Sequence, residues 1–255
     1  MNHFGETALA AAVAMLTAAV PAAYADGMVP ETSVVIVEAG DGEGVMNVKN
    51  TDGKAALLYT TLRDLPEDTE KLLVVTPPMA RVDAGETQLV RFIVANKTAL
   101  STERLKRVTF EGIPQKEPGK HHVQMTVRQD LPVIIRPKGL EINKAPWKLL
   151  KWSMQDGALK VSNNTPYVVR LGQKVELLPG NGVASLPKTY VLPGETVEVK
   201  PEQALSCTPS GVRLFPSTSY GYVVDHYEAP VEAGQSVAAP AASAVPCAHA
   251  VKAAG

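Results

Sequence analysis

Residues 121–137, HHVQMTVRQDLPVIIRP, decide how this chain is read. Val123, Met125 and Val127 alternate with Gln124, Thr126 and Arg128. Successive side chains on a strand point to opposite faces, so this period of two gives one apolar and one polar face. Pro132 then interrupts the run. Proline has no N–H to contribute to a ladder and is confined to edge strands, strand starts and bulges. The stretch therefore predicts a long strand near a sheet edge, with unpaired backbone beside an apolar face. Such a face can pack into the chain's own core, as in any amphipathic strand. Left open, the edge can instead pair with an extended segment of another chain. The alternation is compatible with both.

Upstream, the segments have the same character. SVVIVEAG (33–40) is expected as the first strand, with 40–44 as a turn. VMNVKN (45–50) and ALLYTTL (56–62) follow, joined through Asp52-Gly53, a hairpin signal. LLVVTPP (72–78) reads as a strand stopped by two prolines. Next, Leu89, Arg91 and Ile93 share one face, and Val90, Phe92 and Val94 the other. In LKRVTFEGIP (105–114), Leu105, Arg107 and Thr109 alternate with Lys106, Val108 and Phe110. No segment before Pro137 keeps a helical period. About seven short strands in roughly 110 residues is the pattern of an immunoglobulin-like sandwich.

Downstream, Arg136-Pro137-Lys138-Gly139 predicts a joint, because proline fixes one dihedral and glycine frees the next. A second β domain is expected over 138–232. Its strands are read as KLLKWSM, ALKVSN, YVVRLGQKVEL, residues 189–192, TVEVK and SYGYVVDHY. Trp147 and Trp152 are expected in its core. Residues 233–255 are rich in Ala, Pro and Ser and poor in large apolar side chains, so this tail is expected to be disordered. At the other end, 1–25 reads as a signal peptide. Its Ala-rich apolar run is too short to span a bilayer well and ends in Ala23-Tyr24-Ala25, a small-x-small cleavage signal. The first domain is then 26–137.

Composition narrows the function classes. The chain has 255 residues, 45% of them hydrophobic, enough for two ordinary domains. Lys+Arg 25 against Asp+Glu 26 argues against nucleic acid as a partner, which needs a basic face. Cys207 and Cys247 suit an exported protein, with a disulfide between them left open. They form no CxxC, which argues against thiol redox chemistry and a zinc cluster. Residues 40–44 are glycine-rich, but no Lys-Ser/Thr follows to hold a phosphate. His121 and His122 are adjacent on a strand, point to opposite faces and do not readily chelate one ion. Asp225-His226 lacks a nucleophile elbow to complete a catalytic set. The expectation is a protein without enzymatic activity, cofactor or metal.

Residues 121–137 resemble the last strand of the first domain in the periplasmic pilus chaperones, the PapD-like family. Further pieces match in the family's order: VVTPPMARVDAGETQLVRFIV (74–94), LKRVTFEGIP, IIRPKGL (134–140) at the domain junction, and SNNTPYVVRL (162–171) opening the second domain. The resemblance implies an all-β fold of two immunoglobulin-like β-sandwich domains joined at an angle. It implies a periplasmic chaperone that binds pilus or fimbrial subunits and folds them by donating an edge strand. Val123, Met125, Val127 and Arg128 would contact the subunit. Arg136, Asp225 and Glu103 would hold the interdomain hinge, and Glu111 is a further acidic candidate there. An outer-membrane usher is a second implied partner; nucleic acid and, after signal cleavage, membrane insertion are not. The family usually carries two basic residues that grip a subunit's terminal carboxylate. The nearest positions here are Val34 and Pro132, which cannot hold charge, leaving Arg128 and Arg136 as the nearest substitutes.

The alternative is a secreted immunoglobulin-like structural or adhesive surface protein. Such a subunit needs an N-terminal donor extension, whereas here DGMVPETS (26–33) is expected to lead straight into the first strand.

Overall fold

The computed structural model describes residues 27–95, 99–115, 126–180, 182–205, 207–218 and 221–233. Val123, Met125, His121, His122, the signal segment and the tail beyond Ala233 lie outside these described residues.

The first domain is built from β1 (Met28–Pro30), β2 (Val35–Glu38), β3 (Glu43–Asn50), β4 (Ala56–Arg63), β5 (Leu73–Thr76), β6 (Met79–Val82), β7 (Thr87–Val94), β8 (Arg104–Pro114) and β9 (Arg128–Arg136). The strand order is β5-β7-β3-β2-β9-β8-β4-β6, with β1 pairing β3. Pairing is antiparallel except between β2 and β9, which run parallel. Two-residue alternation selects the inner face. Met46 and Val48 of β3, Val90 and Phe92 of β7, Val108 and Phe110 of β8, and Val133 and Ile135 of β9 meet in one core. On β7 the intervening Leu89, Arg91 and Ile93 face outward.

A turn through Gly139, whose φ of 81° suits glycine, leads to a 3-10 turn over Pro146–Leu149 and the second domain. This domain comprises β10 (Lys151–Gln155), β11 (Ala158–Ser162), β12 (Val169–Leu178), β13 (Gly182–Ser185), β14 (Tyr190–Val191), β15 (Thr196–Pro201), β16 (Gly211–Ser217) and β17 (Tyr227–Ala233). The order is β13-β15-β11-β10-β17-β16-β12-β14, and β13 also pairs β12. Trp147 and Trp152 are buried in its core with Leu159, Val175, Val199 and Leu214. Cys207 is disulfide-bonded. The molecule is thus two immunoglobulin-like β-sandwich domains. Among the described residues, no helix is long and apolar enough to cross a membrane.

Both domains satisfy a buried asparagine in the same way. Asn50 Nδ2 donates to the carbonyls of Val82 and Lys54, each at 2.9 Å. Asn163 Nδ2 donates to those of Val191 and Tyr167, at 3.0 and 2.8 Å. Their backbone groups bond Gly85-Glu86 and Gly194-Glu195, the turns that open β7 and β15. A buried amide without partners is costly, so each asparagine fixes a loop as it satisfies itself.

Several expectations are corrected. β1 precedes the segment expected as the first strand, and β6, β13 and β16 were not anticipated. β6 and β13 are four residues each, too short to show an alternation. β16 carries Pro216, which pairs with Leu171 where the register of β12 shifts, so the proline sits at an irregularity that tolerates it. The reverse error is SYGYVVDHY. Its described part is loop up to His226, with Tyr222 75% exposed, and β17 begins only at Tyr227. Aromatic and β-branched content signalled a strand there, but little packs against it.

Candidate functional site

β9 changes character at Pro132. On one side it pairs antiparallel with β8 from Arg128 to Ile135. On the other it pairs with β2, but only from Val133 to Arg136. Among the described residues, no strand pairs with the second edge of β9 before Val133. Residues 128–131 are exposed or half-buried, and 132–136 are buried. Val127, just upstream, has the same parity as the core residues Val133 and Ile135 but is 51% exposed. The core has ended at that point, leaving it uncovered.

Arg128 lies on the outer face. Its Nε and Nη2 donate to Glu111 Oε2 at 2.9 and 2.6 Å, directly across the β8–β9 ladder. Glu111 is therefore occupied here rather than at the junction. Asp130 accepts from Arg107 Nε at 2.9 Å and pairs with Arg63.

The sealed half of β9 leads to the domain junction. The Arg136 side chain is 4% exposed and donates from Nε to Glu103 Oε1 at 3.2 Å and from Nη1 to Glu38 Oε1 at 2.6 Å. Glu103 Oε2 accepts the backbone N–H of Val168, in the second domain, at 2.9 Å. Burial pushes the Glu103 pKa up, more than the Val168 N–H and Arg136 pull it down. One arginine–carboxylate chain thus runs from β2 through β9 to the second domain. Val34, Leu65, Leu105, Ile134 and Val168 pack together beside it. Asp225 does not join this group. Its side chain is 95% exposed and faces His226 at 3.2 Å, because its segment is loop rather than the expected strand.

Sequence reasoning passed over a second set of charges. Lys106, its side chain only 3% exposed, meets Asp68 at 3.0 Å and Asp64 at 3.2 Å. Burial pushes Asp68 up, but Arg104 and Lys106 outweigh it and hold the carboxyl below the usual range. The same loop sends Glu67 across the junction to Lys188 at 2.6 Å. The signal was present, since Lys106 shares the parity of Val108 and Phe110, the core side of β8.

Val34 is buried in the junction cluster, and Pro132 lines a cavity between the domains. Neither contributes charge. Among the described residues, no group of three or more His, Cys, Asp or Glu is placed to hold a metal.

Comparisons with known proteins agree with this architecture. Residues 27–141 match the model for the pili and flagellar-assembly chaperone PapD N-terminal domain, and 145–227 match that for the pili assembly chaperone PapD C-terminal domain. The uncharacterized fimbrial chaperone YhcA of Escherichia coli is 42% identical over 204 residues, covering 80% of this chain and 90% of its own. The chaperone protein FimB/FhaD of Bordetella pertussis is 34% identical, covering 69% and 77%. In fold, the chain resembles one in the structure of the Salmonella enterica SafA pilin in complex with the SafB chaperone, with TM-score 0.66, 19% identity and coverage of 82% and 98%. It also resembles the Pseudomonas aeruginosa CupB2 chaperone, with TM-score 0.63, 22% identity and coverage of 80% and 100%. With both domains matched in order and a relative this similar across most of its length, the chain belongs to the PapD-like family of fimbrial chaperones.

Proposed function

We propose that this protein is a periplasmic chaperone that captures pilus or fimbrial subunits by lending them the strand leading into β9. The observation that carries this reading is the edge of β9 before Val133, which pairs with no second strand among the described residues and is continued upstream by the exposed Val127. Val123 and Met125 extend the same alternation and belong to the proposed contact surface with Val127 and Arg128. A subunit lacking one strand would gain backbone pairing from this edge and cover for its apolar groove.

The magnitudes divide the work. Burying one aliphatic side chain stabilises by about 1.5–3 kcal/mol, so three supply roughly 5–9 kcal/mol. A backbone hydrogen bond adds only about 0.5–1.5 kcal/mol net. The apolar trio sets affinity, and the ladder sets register and direction. Arg136, Glu103 and Glu38 hold the domain joint beside this surface. An outer-membrane usher is a further partner in this reading.

The test is co-expression with neighbouring pilin candidates. The subunit is expected to be soluble only with this protein and to co-purify with it. Met125→Asp should largely abolish recovery of the subunit while the chaperone keeps its circular dichroism spectrum and urea midpoint. Undiminished co-purification with Met125→Asp overturns the proposal.

A further inference from the structure

One end of the second domain carries a groove of about 260 Å³. Leu177 of β12, Val183 of β13, and Glu202, Leu205, Cys207 and Pro209 from the segment joining β15 to β16 line it. Leu177 and Pro209 are buried, Val183, Leu205 and Cys207 are half-buried, and Glu202 is exposed. The groove thus pairs partly uncovered apolar side chains with a carboxylate at its rim.

Cys207 identifies the occupant. It is disulfide-bonded. The chain has only two cysteines, so the partner is Cys247, in the tail outside the described residues. The strand register permits this link. β16 and β17 are antiparallel, with Gly211 opposite Pro230, and the Val231 N–H donates to the Ser210 carbonyl at 3.0 Å. The chain therefore leaves β17 at the end of the sandwich where residues 202–210 stand. Thirteen residues, 234–246, separate Ala233 from Cys247. Extended, they reach about 45 Å, against about 10 Å of chain from Cys207 to Ser210. A disulfide needs its two Cα atoms only within roughly 7 Å, so the connection has ample slack.

We propose that residues 245–252, VPCAHAVK, fold back over this groove, pinned by a Cys207–Cys247 disulfide, and that the tail thereby closes this end of the second domain. Val245, Pro246 and Val251 supply apolar cover for Val183 and Leu205, and Lys252 brings a positive charge to the Glu202 rim. The bond forms as the two thiols give up two protons and two electrons to another disulfide, which leaves as a dithiol. Once pinned, the segment meets the groove at an effective concentration of about 1 mM. A contact with an intrinsic Kd of about 0.1 mM is then about nine-tenths occupied. This inference does not depend on strand capture, which concerns the first domain.

Peptide mapping by mass spectrometry without reductant is the first test. A cross-linked pair joining Cys207 to Cys247 within the monomer is expected. Free thiols at both positions, or a covalent dimer, overturn the proposal. Hydrogen exchange on the full chain then reads the cover. Peptides spanning 177–183 and 202–209 should exchange about tenfold faster after reduction with dithiothreitol, and equally so in the double variant Cys207→Ser, Cys247→Ser. Peptides from the first domain should not change.

A further variant separates the cover from the cross-link. Val245→Asp with Val251→Asp keeps both cysteines, and the bond should still be found by mapping, yet the groove should lose its protection to a similar degree. Groove exchange unchanged in this variant, or unchanged on reduction, overturns the proposal. So does a loss of protection that spreads through β10, β11 and β17, because the disulfide would then act as a staple for the whole domain. Capture is read separately by co-purification, so failure here leaves that reading standing.

Discussion

Along β9, among the described residues, those from Arg128 to Leu131 have one strand partner, β8, whereas those from Val133 to Ile135 have two, β8 and β2, and Arg136 continues the pairing with β2. The first group is held on its outer face by ion pairs that reach solvent, Arg128–Glu111 and Arg107–Asp130. The second places Val133 and Ile135 in the domain core, Ile134 in the junction cluster, and Arg136 between two carboxylates. Pro132 divides them. One continuous strand thus joins an edge with little to lose to a segment on which core and joint depend. An exposed edge is usually an aggregation liability. Anchoring it to a buried continuation lets it remain open without loosening the fold.

The strongest challenge to this division is Arg136→Ala. Removing one partner of a buried ion pair typically costs about 3–5 kcal/mol, because the other charge stays buried and unmatched. That loss is expected at pH 7, read from urea denaturation. It should shrink in acid. A glutamate whose folded pKa is raised adds no cost below its unfolded pKa, and the cost develops as pH rises through the folded value. Glu103 loses its cation in the variant, so the gap between the two proteins should narrow as pH falls toward the ordinary glutamate range. A gap that stays constant would mean Glu103 is not the stranded group.

Asp68→Asn probes the support behind the same half, because Lys106 pairs across the ladder with Val133. Asp64 remains near Lys106, so the loss should be about 2 kcal/mol, below that for a fully broken buried pair. Here the pH sign reverses. The Asp68 pKa is lowered, so its contribution is present above the unfolded value and is lost as pH falls through the folded one. Wild type and variant should therefore converge only at more acid pH. Urea midpoints across the acid range would show whether the two carboxylates behave oppositely.

Much of this contrast was legible in the sequence. The strict alternation of β7 and the valine and two isoleucines of 133–135 gave strands and a core, because period two leaves few other arrangements. Pro132 marked the division, since a missing N–H is a local fact. Arg136 and Glu103 were placed at the joint through family resemblance, not residue pattern. Asp225 was not legible, because loop and strand differ there by packing that a nine-residue window does not contain. Arg170 and Arg107 belong to different domains and are brought to one cavity only by the fold. Lys106 was open to reading, but a buried cation is recognised only once Asp64 and Asp68 are known to reach it.

The smallest effect gives the most selective test of the exposed half. Arg128 is 62% exposed at its side chain, and its hydrogen bonds to Glu111 compete with water on both partners. Ion pairs of this kind contribute about 0–1 kcal/mol and weaken with salt. Arg128→Ala should therefore lower the unfolding free energy from urea denaturation by less than about 1 kcal/mol, without changing the denaturant slope. Adding salt should shrink even that difference. A double-mutant cycle with Glu111→Ala isolates the pair from other effects of truncation. A coupling well above about 1 kcal/mol, insensitive to salt, would show that this half is structurally bound like its continuation. The edge would then not be free to leave β8's neighbourhood or accept a partner without cost, and the division at Pro132 would lose its meaning.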